Sequence, residues 1–325
     1  MDRISFPYRS GSHLALLHVV SESGAWEKHG LDVDYDKYIG SDDAQRSLPA
    51  GTVEFVGGNH VSTYGLRARG DKWVYLGQTV NCVVHRLCVR PDSGISGLHD
   101  LYEKKILVRG SHPSLNDWLF LKQRGLDVDR DDIELVDQIR VKQGSMDAEP
   151  GQEEEAKRAK WEWVKEGKVD ACLVTTFQGI AAERAGMKVI DIESLPMINF
   201  TTVSAHQDFV ENNPDLVDRF LKGLIEGIAY FKTQPEKAKA IIKARFMNGV
   251  LDDAMVNAVY GELARIVEPK LYPTMEAIGN VYQEALRQDA DARKVNPLSL
   301  WNMNYIRRID DSGFIDALYG NREVQ

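Results

Sequence analysis

The sequence predicts an α/β chain of two lobes with a helical C-terminal segment, and three observations carry that prediction. Short β-like runs alternate with amphipathic helical stretches from Ile4 to about Gln78. The alternation breaks and restarts over roughly 86–195, and from Asn212 onward the apolar residues recur almost throughout at helical spacing. Strands that alternate with helices of this length argue for βαβ units and a parallel sheet. At 325 residues the chain is long enough to bury two cores. Lobe 1 is expected to comprise residues 1–84 with 199–325, and lobe 2 residues 85–198.

Taken in order, Ile4–Tyr8 reads as a strand and Leu14–His29 as a helix stopped by Gly30, a residue suited to the left-handed position after a helix. Leu31–Tyr38 alternates as a strand (Leu31, Val33, Tyr35). The turn Gly40-Ser41-Asp42 can cap a helix over Asp43–Pro49. Val53–Val56 is a short strand, followed by Gly57-Gly58-Asn59-His60 and a helix through Arg69. Trp73–Gln78 is the next strand. In the second stretch, Arg86–Arg90, Lys105–Val108, Ile133–Val136, Val169–Val174 and Lys188–Ile192 read as strands. Ser114–Arg124, Lys160–Lys165 and Gln178–Ala185 read as helices. Lys142–Lys157, rich in Glu, Gly and Gln, looks like an exposed insertion. Phe200–Ser204 is a strand that could cross back to the first unit. Asp215–Thr233, Pro235–Arg245, Asp252–Val267 and Met275–Ala285 are helical.

Composition narrows the function. Lys and Arg number 40 against 49 Asp and Glu, a net charge of −9. Such a chain lacks the phosphate-neutralising excess that general nucleic-acid binding needs, although a local basic patch can still hold a small anion. No apolar run approaches the ~20 residues that span a bilayer. Met1–Tyr8 is already domain-like, without a basic segment followed by an apolar one. The chain as written is therefore expected in the cytoplasm, or in the periplasm if a leader has been removed. Cys82, Cys88 and Cys172 have no metal-ligand spacing and read as buried thiols. The His residues are scattered without i, i+4 pairing, so neither a metal nor a cofactor is expected.

The residues able to carry chemistry sit where strands hand over to helices. His60 is the sharpest candidate. At a strand's carboxyl end beside a helix N-terminus, its imidazole can donate to an anion or serve as a general base, or it can act only as a polar cap. Arg9-Ser10-Gly11-Ser12-His13 combines a cation, hydroxyls and a glycine, which suits an anion, and it serves equally well as a capped turn. Arg109-Gly110-Ser111-His112 occupies the equivalent place in the second lobe, where Arg109 could clamp a carboxylate or sulfonate through two parallel bonds. Ser41 and Asp42, and Thr175-Thr176-Phe177, end two further strands, and the Phe177 ring could stack on a ligand. No strand–Gly-x-Ser-x-Gly–helix elbow is present.

Several short motifs, in order, resemble the type II periplasmic binding fold in its sulfonate/nitrate-binding and thiamine-pyrimidine-synthesis-like (NMT1/THI5-like) branch. They are Glu27-Lys28-His29-Gly30-Leu31-Asp32-Val33-Asp34, then Leu48-Pro49-Ala50-Gly51-Thr52-Val53-Glu54-Phe55, then Glu166-Gly167-Lys168-Val169-Asp170-Ala171, and lastly Phe209-Val210 with Asn213-Pro214-Asp215-Leu216-Val217. The resemblance implies two lobes joined by crossovers near Gly77–Val84 and Asn199–Ser204. It also implies a cleft that closes by hinge motion on a small organic anion (a sulfonate, carboxylate or aromatic acid), with an ABC permease as partner. The expected ligand contacts are Arg9, Ser10, Gly11, Ser12, His13, Ser41, Asp42, Gly58, Asn59, His60, Arg109, Gly110, Ser111, His112, Thr175, Thr176, Phe177 and Asn199, in a monomer or dimer.

Ser21-Glu22-Ser23-Gly24, His60, Leu66-Arg67-Ala68 and Leu300-Trp301-Asn302 also resemble the aromatic sulfinate desulfinase on the same fold. The cysteine of that enzyme would fall near Ser10–Ser12, where this chain has none. The alternative function is thus a cytoplasmic lyase or hydrolase acting on an aromatic or carboxylated compound, with His60 as acid/base.

Overall fold

The computed structural model describes residues 1–58, 60–108, 111–137 and 158–320, with side chains for all of these except 111–116 and 137. The chain forms two compact units, Met1–Val83 with Pro196–Gln325, and Val84–Leu195.

In the first unit β1 (Asp2–Ser5) and β2 (Leu31–Asp34) pair in parallel, Ile4 opposite Val33. A second sheet has the order β3 (Val56–Gly57), β10 (Leu195–His206), β4 (Trp73–Val83), with Val203 of β10 opposite Gly57 in antiparallel pairing. Tyr8 bridges to both Tyr38 and Gly57 and so ties the two sheets together. The strand β4 runs past Gln78, because its later polar residues are satisfied inside the fold. Thr79 Oγ1 donates to the Thr201 carbonyl at 2.9 Å, and Asn81 Nδ2 donates to the Tyr272 carbonyl at 2.8 Å.

The helix expected over Leu14–His29 is two helices, Leu14–Glu22 and Ala25–Lys28. Gly24 separates them at φ +74°, and the Ser23 hydroxyl turns back to the Val20 carbonyl at 2.7 Å. Against both lies the long helix Pro214–Thr233. Its Gly223 and Gly227 permit the approach: a Cβ on either would come within 3.2 Å of Trp26 Cα or 2.8 Å of Val20 Cα. Phe220 of the same helix stacks on Phe55, centroids 4.1 Å apart, and meets Phe6 edge-on at 5.0 Å, which makes the centre of this core aromatic. The helices Pro235–Arg245, Asp253–Ile266, Met275–Gln288, Asn304–Asp311 and Phe314–Tyr319 complete the helical C-terminal segment.

The second unit holds one five-stranded sheet in the order β7 (Glu134–Asp137), β6 (Lys105–Val108), β8 (Ala171–Val174), β5 (Arg86–Val89), β9 (Lys188–Asp191). β6 is parallel to β7 and β8, whereas β5 is antiparallel to β8 and β9. The expected parallel sheet is therefore mixed. β5 and β9 are the first and last strands of the unit, and their opposite directions bring the chain in and out at the same end of the sheet. The helices Ser111–Gln123, Lys160–Lys165 and Thr176–Arg184 connect the strands. The insertion expected at 142–157 lies outside the described residues. No helix among the described residues is long and apolar enough to cross a membrane.

Candidate functional site

In the first unit the loops after β1 and β3 meet. The Arg9 N–H donates to the Gly57 carbonyl at 3.2 Å. The next residue, Gly58, sits at φ +128°, a region that side chains rarely adopt, and a Cβ there would lie 2.9 Å from Arg9 Cγ. β10 holds Gly58 from the other side: its N–H donates to the Thr202 carbonyl at 2.8 Å, and its carbonyl accepts from Ser204 Oγ at 2.7 Å. The missing Cβ of Gly58 thus leaves room for the Arg9 side chain at the end of β3.

Arg9 donates through Nη1 to the Ile39 carbonyl and also bonds Tyr38. Its Nε is buried and has no hydrogen-bond partner among the described residues. Burial pushes the guanidinium down from its ordinary value, while Tyr38, Asp42 and Asp43 pull it back up. His13, at the end of the Gly11–His13 turn, is 4% exposed and stacks on Phe200 with ring centroids 6.0 Å apart. Burial, helped by the nearby His60 and Arg9, lowers its pKa to about 3, so the imidazole is neutral.

His60 Nδ1 lies 3.3 Å from Thr202 Oγ1. The Gln78 amide donates from Nε2 to the carbonyls of Val80 and Asn199, which turns its Oε1 toward Thr202 to accept the hydroxyl proton at 2.6 Å. The Thr202 oxygen can then only accept from the imidazole, so His60 presents Nδ1–H to it. Asn199 donates to the Cys82 carbonyl at 3.2 Å. Ser10 and Ser12 bond each other through their hydroxyls at 2.9 Å, and Gly11 is exposed beside them. Ser41 accepts from Gln45 at 3.2 Å, and Gln45 also reaches Ser62 at 3.4 Å; Asp42 is exposed on the same short helix.

The structure therefore gathers Arg9, His13, Gly58 and His60 about one point, links Asn199 to them through Gln78, and keeps Ser41 and Asp42 at one remove. Asn59, Arg109 and Gly110 lie outside the described residues. Ser111 and His112 open the Ser111–Gln123 helix, but their side chains also lie outside the description. At the end of β8, Thr175 N–H donates to Gln178 Oε1 at 3.1 Å, Thr176 starts the following helix, and Phe177 is half-buried.

Sequence reasoning missed Gln78, Thr202, Phe200 and Tyr38. The first two had a signal, since each is a polar side chain inside a strand otherwise rich in apolar residues. It also missed a group of titratable side chains in the second unit. His85 is half-buried with its Nδ1 enclosed, and its ring stacks on Phe120 at 5.4 Å. Asp117 is 1% exposed with neither carboxylate oxygen hydrogen-bonded among the described residues, and Lys160 is close enough to His85 and Asp117 to influence the charge of each.

A family model described as NMT1/THI5 like matches residues 12–238. Comparison with curated proteins finds no match. Among solved structures, the putative sulfonate ABC transporter periplasmic sulfonate-binding protein SsuA from Methylobacillus flagellatus KT is similar with a TM-score of 0.69 at 14% identity, over 97% of this chain and 96% of that one. The periplasmic aliphatic sulphonate binding protein SsuA from Escherichia coli has a TM-score of 0.63 at 15% identity, over 90% and 91%. A mutant of DszB in complex with biphenyl-2-sulfinic acid has a TM-score of 0.63 at 18% identity, over 96% and 99%. At these identities the likeness shows the fold, the mixed α/β arrangement of periplasmic binding proteins.

Proposed function

The chain belongs to the NMT1/THI5-like family, and from that premise we propose that it is the substrate-binding protein of an ABC-type transporter, taking a small organic anion on the strand-end loops of its first unit. A sulfonate, a carboxylate or an aromatic acid fits the chemistry. The observation that carries the reading is Arg9, a cation laid against Gly58 with its buried Nε unpartnered among the described residues. A buried donor without a partner costs about 1–3 kcal/mol, which an arriving anion oxygen recovers. The proteins of similar fold named for sulfonate binding add support from outside this chain. On this reading His60, its ring fixed by Thr202, orients the ligand, and an ABC permease is the partner.

Native mass spectrometry of the freshly purified protein, followed by denaturation and identification of the released molecule, tests the proposal. The expected result is one small anion per chain, recovered unchanged after long incubation. A released molecule that is chemically converted by the protein would instead favour an enzyme with His60 as acid/base.

A further inference from the structure

Two stretches that stand out in the sequence and that the anion site leaves unused, Leu66-Arg67-Ala68 and Leu300-Trp301-Asn302, meet in the first unit at a cavity of about 170 Å³. Arg67 and Glu211 bring its charges, Gln207 stands with them, and Val74, Val210 and Trp301 give it an apolar wall. A cavity of roughly 150 Å³ admits a molecule the size of benzene, so about six or seven non-hydrogen atoms fit here. The place is separate from the Arg9 loop. β10 meets His60 at Thr202, and Gln207 comes five residues later, about 16 Å further along an extended chain.

The charges of this cavity are opposite in sign and are not paired. Arg67, in the last turn of the helix Thr63–Ala68, reaches the Trp73 carbonyl and Gln207 Oε1 through Nη1, both at 3.5 Å, the outer limit of a hydrogen bond. From its other end the Gln207 amide donates through Nε2 to Glu211 Oε1 at 2.7 Å. The amide thus stands between cation and carboxylate and holds them apart. Among the described residues Arg67 and Glu211 form no ion pair, with each other or with any third group. The neighbouring Lys72 is bound to Asp208 at 2.8 Å.

An anion entering this cavity answers Arg67 and sets its charge near Glu211, and a cation meets the reverse. A molecule that carries both signs answers both. We infer that the cavity takes a free α-amino acid with a short side chain, its carboxylate on Arg67, its ammonium on Glu211 and its carbon skeleton against Trp301. Each end is a charge-assisted contact, so removing either is worth about tenfold or more in affinity.

The test titrates L-alanine, propionate and ethylamine into the full chain, the last two carrying one half of the amino acid's charge each. Proton–nitrogen spectra of the tryptophan indoles follow the binding, and the Trp301 resonance is identified by its loss in Trp301→Phe. L-Alanine should shift that resonance saturably, with propionate and ethylamine each about tenfold weaker or worse. Arg67→Gln and Glu211→Gln should each weaken L-alanine by the same order. Calorimetry of the three probes with the wild type gives the same ranking without any variant. No saturable binding of L-alanine up to its solubility overturns the inference. So does propionate that binds as tightly as L-alanine, or a variant at 67 or 211 that binds L-alanine as tightly as the wild type. Arg67 lies outside the Arg9 loop, so Arg67→Gln should keep the wild-type affinity for alkanesulfonates, and failure at this cavity leaves the anion reading standing.

Discussion

His13 and Phe200 stack with their ring planes 25° apart, and Phe200 does so from a left-handed backbone, φ +56°, in the middle of β10. A bulky residue in that region is strained by roughly 1–3 kcal/mol, tolerated only where its neighbours hold it. Here they do: the Thr201 N–H is bound by Thr79 Oγ1 at 3.1 Å, and the Asn199 carbonyl accepts from Gln78 at 2.6 Å.

The strain makes a prediction by comparison. Phe200→Ala loses the ring and keeps the strain, whereas Phe200→Gly loses both. Glycine at 200 should leave the protein about 1 kcal/mol more stable than alanine in urea unfolding. An alanine variant as stable as the glycine one would contradict the left-handed assignment.

Acid should weaken the fold through two histidines. Burial lowers both His13 and His85 from 6.5 to about 3. The unfolded chain takes up these protons as pH falls through 6.5, and the folded chain does not until about 3. Stability from each is present above 6.5 and is lost on acidification, at roughly 1.4 kcal/mol per pH unit. Unfolding curves at pH 7.5, 6 and 5 check this: His85→Phe should flatten the profile, and an unchanged slope would count against a ring kept neutral by the fold.

Asp117 works in the opposite direction. Burial raises its carboxyl to about 6, partly offset by Lys160. The folded chain holds the proton between 3.8 and 6 while the unfolded chain releases it, so folding becomes progressively less favourable as pH rises through that window, by about 3 kcal/mol in all. Asp117→Asn removes the titration. Its stability relative to the wild type should therefore grow by up to that amount between pH 4 and pH 8. A constant difference across the range would show that Asp117 is not buried in this way.

The thiols should be quiet in the native state. Cys88 and Cys172 are fully buried and stand opposite each other on β5 and β8, and burial raises the Cys172 thiol well above its ordinary value. Cys82 is half-buried and also raised by burial. An aromatic disulfide reagent should label at most Cys82 in the native protein and all three thiols in denaturant. Fast labelling of Cys88 or Cys172 without denaturant would contradict the packing of the second unit.

Much of the fold was legible because burial imposes period. The alternation at Leu31, Val33 and Tyr35, and the helical spacing of Leu216, Phe220, Leu224 and Ile228, each follow from one apolar face. What pattern could not supply was the direction of β5, since an apolar strand such as Arg86–Val89 looks the same whichever way its neighbours run. Nor could it show that β4 continues through Thr79 and Asn81, because their partners are Thr201 and Tyr272, more than a hundred residues away. At the candidate site the same division holds. Arg9, His13, Gly58 and His60 stand out in sequence as polar or glycine residues at strand ends. The relay from Gln78 through Thr202 to His60, and the Phe200 ring over His13, depend on long-range pairing of β10 and carry no local signature.

The central claim is that the loops around Arg9 and Gly58 hold a small anion. Calorimetric titration of the wild type, Arg9→Gln and Gly58→Ala with alkanesulfonates, carboxylates and aromatic acids tests it most directly. The account predicts one site per chain in the wild type for at least one of these classes. It also predicts affinity at least tenfold weaker in Arg9→Gln, where the cation is gone, and in Gly58→Ala, whose new Cβ would displace the Arg9 side chain. Wild-type protein that binds none of the three classes, or variants that bind as tightly as the wild type, would contradict it.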